Sequence, residues 1–285
     1  MKPSLKRARG GLVAALILLA CGGAATAAPA PRPSRIVSLN TCADQYLIAL
    51  ADKNQVAALT RFARDPSLSF YADAARAYPV SGGQAEEVLA LRPDLIITTP
   101  YRHLDNLALL TGKVRVLDLD TANTFDDVVR QTRLVADAIG QPARGEALIR
   151  AMQAQVAAAG QRPVGGVAAH YQRGGYLTGP GTLMDDLMRR AGLLNLARRL
   201  NGGEIGRLSL EQIVQQRPDF LILTDGDAPG QDEGDLVLDH PALIRAVPAA
   251  RRLRVPSALI VCGGPSYPAA LQRLQAEADR ARAAR

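Results

Sequence analysis

Apolar positions along the chain fall into short, largely continuous runs, at residues 35–39, 56–60, 94–98, 114–117, 164–169 and 219–224. Runs of this length without polar alternation suit parallel strands covered on both faces. Between them the apolar spacing turns helical: residues 42–51, 69–77, 125–139, 143–159 and 183–191 each place apolar side chains three and four positions apart. Residues 195–208 follow neither period and are expected to be irregular. Residues 252–255 and 258–261 form a last strand region, and Cys262-Gly263-Gly264-Pro265 a tight turn into a terminal helix.

One helix-to-strand unit occurs twice. Ala85-Glu86-Glu87-Val88-Leu89-Ala90-Leu91-Arg92-Pro93-Asp94 runs into Leu95-Ile96-Ile97, and Leu210-Glu211-Gln212-Ile213-Val214-Gln215-Gln216-Arg217-Pro218-Asp219 runs into Phe220-Leu221-Ile222. The residue before each proline is driven from the right-handed helical region, which ends the helix. Ser209 and Gln212 have the spacing of a capping box. Two copies imply two similar lobes: an α/β fold of two Rossmann-like halves, residues 35–141 and 163–285, with a ligand cleft between them. Residues 142–162 join the halves, and the alanine-rich stretch 143–159, which has no internal breaker, predicts one long, stiff helix there. The repeat aligns Glu86 with Glu211 in the first turn of each helix, at the carboxyl edge of each sheet, where α/β folds open their crevices.

The repeated Glu-x-(Val/Ile)-x-x-x-Arg-Pro-Asp pattern resembles the cobalamin and iron-siderophore class of periplasmic substrate-binding proteins of ABC importers. Ser38-Leu39-Asn40, Thr178-Gly179-Pro180-Gly181-Thr182 and Cys262-Gly263-Gly264-Pro265 extend the resemblance over about residues 35–275. It implies a non-enzymatic receptor that needs no cofactor and works as a monomer. That receptor delivers a ferric siderophore, haem or cobalamin to a membrane permease and its ATPase. It also implies that Glu86 and Glu211 dock onto permease arginines and that the lobes move only slightly. Cobalamin binders of this class often present tryptophan to the corrin, and this chain has no Trp, which favours an iron complex.

Candidate ligand contacts come from loops at strand carboxyl ends. These are Asn40, Thr41, Arg61, Phe62, Arg64, Tyr101 and Arg102 in the first lobe, and Tyr171, Arg173, Tyr176 and Asp225 in the second. Arginines suit carboxylate, catecholate or phosphate oxygens, and rings suit a flat or apolar ligand face. Two alternatives stay open: a manganese or zinc receptor of the same fold using His103 and His170, and an envelope hydrolase using Asp225 or Asp227 with Glu211. Nucleotide, zinc-protease and serine-nucleophile signatures are absent from the sequence.

The amino terminus has the layout of a secretory signal over residues 1–27, with Lys2, Lys6, Arg7 and Arg9, an apolar run, and Ala25-Thr26-Ala27; residues 28–34 then form a tether. Leu18-Leu19-Ala20-Cys21 offers a competing lipoprotein reading at Cys21. Either places the folded part in the periplasm or envelope. Without residues 1–27 the formal charge falls from +7 to +3, since 30 basic residues then face 27 acidic ones. So small an excess, without a basic stripe, argues against nucleic acid as a partner. Cys42 and Cys262 are expected as small half-buried thiols, because a bridge between lobes opposes cleft opening; a bridge or a place in the cleft remain the alternatives.

Overall fold

The computed structural model describes residues 32–99, 112, 114–224 and 235–283. Among them are two parallel sheets. The first runs β3-β2-β1-β4-β5, from β1 (Ile36–Ser38), β2 (Val56–Thr60), β3 (Val80–Ser81), β4 (Leu95–Thr98) and β5 (Arg115–Asp118). The second runs β11-β10-β6-β8, from β6 (Val167–His170), β8 (Leu194–Asn195), β10 (Phe220–Leu223) and β11 (Arg252–Arg254). Every pairing within these sheets is parallel, and β1, β4 and β10 are buried along their whole length, as their apolar runs require. β7 (Tyr176–Thr178) and β9 (Ile205–Arg207) form a separate antiparallel ribbon.

The two repeat copies do the same structural work. Their helices, Ala85–Ala90 and Leu210–Gln216, end at Arg92 (φ 45°) and Arg217 (φ 46°). Both arginines leave the right-handed region as expected, but enter the left-handed one rather than extended backbone. The Pro-Asp that follows then closes each lobe. The Asp94 carboxylate accepts hydrogen bonds from the Ser34 and Arg35 backbone N–H groups at 2.7 and 3.0 Å, and that of Asp219 from the Val167 N–H at 2.8 Å. In each lobe the aspartate before one central strand thus fixes the start of the neighbouring one. Ser209 and Gln212 form the expected capping box.

Helices Phe125–Ala138 and Pro142–Ala159 follow the first sheet and pack against each other. They approach closely because residue 145 is glycine; a Cβ there would lie 2.4 Å from the Ala136 Cβ. The first of these helices serves both halves. Val135, Ala136 and Ile139 belong to the core under the first sheet, whereas Phe125 and Val128 join the core under the second with Ile149 and Met152 of the connecting helix. The Phe125 N–H donates to Asp186 (3.2 Å), which also accepts from the Tyr267 hydroxyl, and the Phe125 and Tyr267 rings lie 5.0 Å apart. Burial alone would raise the Asp186 carboxyl, yet the Tyr267 hydrogen bond and the guanidinium of Arg190 hold it below its ordinary value.

Some expectations need correction. Residues 195–208 are ordered: Asn195 caps a helical turn, Leu196–Arg199, and β9 follows. Residues 258–261 are not a strand, because Ser257–Ile260 is a helical turn behind Pro256; so short an apolar run suits either state. The first strand of the second lobe begins at Val167, and Val164 lies 77% exposed ahead of Gly165-Gly166. The helix expected over 69–77 shrinks to Ala72–Ala75. Cys42 and Cys262 are joined in a disulfide (Cα–Cα 5.3 Å) rather than being free thiols. Among the described residues no helix is long and apolar enough to cross a membrane.

Candidate functional site

In an open parallel sheet the crevice forms beyond the carboxyl ends of the strands where the winding direction reverses. That point lies between β1 and β4 in the first sheet and between β6 and β10 in the second. β1 leads to Asn40 and the helix start at Thr41, β4 ends on Thr98, and the segments after β6 and β10 carry Tyr171, Arg173 and Thr224. Tyr101, Arg102 and Asp225, together with His103 and Asp227, lie outside the described residues, as do residues 1–27 and Cys21.

Several candidate side chains are already committed. The Asn40 side-chain oxygen accepts from the Cys42 and Ala43 N–H groups at 2.7 and 3.2 Å, so it starts helix Thr41–Leu50. Arg64 donates to the Tyr78 carbonyl at 2.6 Å. Tyr171 is fully buried, its hydroxyl donating to the Leu208 carbonyl at 2.9 Å, and burial raises its phenol pKa. It is a core residue of the second lobe, which its place in a loop concealed.

Two exposed arginines stack on rings. Arg61 lies over the Phe62 ring, 4.9 Å from its centroid, in the helical turn directly after β2. On the ribbon, Arg207 lies 5.4 Å over the ring of Tyr176, which is 48% exposed, and donates to the Gly174 carbonyl at 2.8 Å. Arg207 escaped sequence reasoning because β9 was expected to be irregular. The ribbon borders a hollow of about 520 Å³ lined by Tyr171, Gly175, Arg207, Leu208, Ser209 and Gln212. Thr182 sets the helix that follows, capping Leu183–Arg190 through the Asp185 N–H.

Beneath the Arg61 turn, Asp44 accepts from the Thr60 N–H at 3.0 Å and from its hydroxyl at 2.5 Å. Burial pushes its carboxyl pKa up to about 6, against the opposing pull of those hydrogen bonds. Next to it, Gln45 is fully buried with neither amide atom hydrogen-bonded, and the Thr98 hydroxyl is in the same condition. Sequence reasoning passed over all three. Among the described residues no group of three or more His, Cys, Asp or Glu is placed to hold a metal ion.

Glu86 and Glu211 are exposed at their helix starts. The neighbouring Glu87 is tied back to the Gly82 N–H (2.8 Å). Glu211 accepts from the Ser209 hydroxyl at 2.7 Å, which holds its carboxyl below the ordinary value.

Two parallel α/β lobes with crevice-forming edges and polar, aromatic loops define a ligand-binding protein architecture. The chain belongs to the periplasmic binding protein family, whose sequence model matches residues 36–258. It is 29% identical over 202 residues to a cobalamin-binding protein of Halobacterium salinarum. That match takes in 67% of this chain but only 53% of the relative, so the chain spans about half the length of the curated relative it matches. A periplasmic haem-binding protein from Pseudomonas aeruginosa has the same fold at TM-score 0.66 and 28% identity, over 86% of this chain and 92% of that one. A possible iron-binding periplasmic solute-binding protein from Staphylococcus epidermidis superposes at TM-score 0.72 and 16% identity, over 87% and 99% of the two chains.

Proposed function

We propose that this protein is the extracytoplasmic receptor of an ABC importer, capturing an iron complex (siderophore or haem) or cobalamin between its lobes and passing it to a membrane permease. The observation that carries this reading is that each lobe offers an exposed arginine stacked on a ring, Arg61 on the half-buried Phe62 in the turn after β2 and Arg207 on Tyr176 of the ribbon. A guanidinium already stacked on a ring presents one charged, flat surface, which suits a ligand with anionic groups around a planar body. The ligands named for the Halobacterium and Pseudomonas relatives, cobalamin and haem, share a tetrapyrrole ring. The proposed contacts are Arg61, Phe62, Tyr176 and Arg207, with Thr41, Arg173 and the undescribed Tyr101, Arg102 and Asp225 around them. Tyr171, Asn40 and Arg64 act as supports, since their polar atoms are used internally.

Glu86 and Glu211 would meet the permease. Each sits exposed at a helix start on the carboxyl side of its sheet. The matching place of the two in the repeat suits a partner of two-fold symmetry.

A thermal-shift screen with haemin, cobalamin and a panel of ferric siderophores tests the receptor reading. A ligand that binds only the folded protein raises the melting point with concentration, by about 2.7 kcal/mol of added stability at a hundredfold excess over Kd. One class should do so and lose affinity in Arg61→Ala. Flat melting curves across all three classes would remove this reading.

A further inference from the structure

We propose that the Cys42–Cys262 disulfide is a redox-sensitive clamp between the lobes, holding them at the spacing that grips ligand until a dithiol releases it. The loosened grip rests on the reading that ligand lies between the lobes; the clamp itself does not.

Cys42 is the second residue of helix Thr41–Leu50, just beyond the β1 switch point. Cys262 lies 220 positions away in the second lobe, after the helical turn Ser257–Ile260. The bridge therefore joins the first turn of a helix in the first lobe to the turn that leads into the terminal helix of the second. The surroundings reinforce that corner. One helical turn beyond Cys42, the Tyr46 hydroxyl donates to the Gly263 carbonyl at 3.1 Å. Gly263 is also wedged against the first lobe, where an added Cβ would meet the Ala122 carbonyl oxygen at 2.1 Å. While the bridge is closed, the lobes cannot part here and any opening has to pivot about it.

The bridge can be opened without dismantling the fold. Cys262 is 2% exposed but Cys42 is half-buried, so a thiolate reaches the Cys42 sulfur first. That attack forms a mixed disulfide on Cys42 and expels the Cys262 thiolate. The second thiol of the dithiol then closes its own ring and frees Cys42. Two electrons and two protons pass from the dithiol to the bridge, leaving two thiols and an oxidised dithiol. The lobes stay joined by the helix pair and by the contacts among Phe125, Asp186 and Tyr267. What is lost is the fixed position of residues 40–42 against residues 262–264, that is, preorganisation of one wall of the proposed cleft.

The test compares oxidised protein, dithiothreitol-treated protein and the Cys42→Ser/Cys262→Ser variant, with thiol alkylation and mass spectrometry reporting the state of the bridge. Hydrogen exchange is followed by segment, and haemin serves as the affinity probe. Expected is faster exchange in residues 40–46 and 262–267 once the bridge is open, unchanged protection of both sheets, and haemin binding weaker by about tenfold. Both cysteines free in the oxidised protein, or equal exchange in those segments with the bridge open and closed, would overturn the clamp. Protection lost throughout both treated protein and variant would make the bridge a fold staple instead. Faster exchange with unchanged haemin affinity would refute the loosened grip. No haemin binding in either state, with exchange still faster, would leave the clamp standing and count against haem in the reading above.

Discussion

Asp44 gives the sharpest energetic prediction. Its carboxyl is buried and its pKa raised from 3.8 to about 6, so the folded chain binds a proton more tightly there than the unfolded chain. The sign follows from linkage: below pH 3.8 the group is protonated in both states and costs nothing. As pH rises from there through 6, the folded state has to accept a buried charge and stability falls. A shift of about two units corresponds to about 3 kcal/mol, fully expressed above pH 6. Asn at this position cannot ionise and keeps both contacts, its oxygen accepting from the Thr60 N–H and its amide donating to the Thr60 hydroxyl. The shift already includes the hydrogen bonds to the carboxylate, so between pH 4 and pH 7.5 the variant gains about 2 to 3 kcal/mol over the parent. Urea denaturation of Asp44→Asn and the parent at pH 4 and pH 7.5 should therefore show near-equal midpoints at the lower pH and a higher midpoint for the variant at the upper, with equal slopes. A difference between variant and parent that is the same at both pH values would show that ionisation costs the fold nothing and that burial does not govern this carboxyl.

Other perturbations follow from the same structure. Glu86→Ala with Glu211→Ala should leave ligand affinity and melting point nearly intact while abolishing uptake and permease association; normal uptake would sink the docking role. Gln45→Met replaces an unpaired buried amide and should stabilise the ligand-free protein by about 1 kcal/mol, read as a melting point raised by about 2 to 4 °C. If Gln45→Met instead weakens ligand binding, its amide faces the ligand. Asp219→Ala leaves the Val167 N–H without its acceptor and should cost about 1.5 to 3 kcal/mol in chemical denaturation, the range for a hydrogen bond to a charged group.

The repeat was legible in the chain because most of it encodes a local event, an apolar helix face and a residue before proline that cannot stay helical, whereas the contacts of its aspartates to residues 34, 35 and 167 are distant in sequence. The parallel strands followed from their continuous apolar runs. What stayed hidden depends on residues distant in sequence. The β7–β9 ribbon buries little on its outer face, with Ile205 73% exposed, so it carries no apolar signal, and Arg207 was missed with it. Tyr171 looked like a ligand group because its loop position was readable, while its partner at Leu208 was not. Asp44 and Gln45 sit in an ordinary helical stretch, and only the packed fold shows that their polar ends lie inside. The cysteine pair was weighed against a cleft assumed to open everywhere, whereas the structure ties one corner shut.

Segment-resolved hydrogen exchange of the protein with and without a ligand from the thermal-shift screen tests the central claim most directly. The account predicts added protection in both lobes at once, in residues 40–42 and 61–64 of the first and residues 172–178 and 205–208 of the second. Protection confined to one lobe, or lying at the amino edges of the sheets, would contradict binding between them.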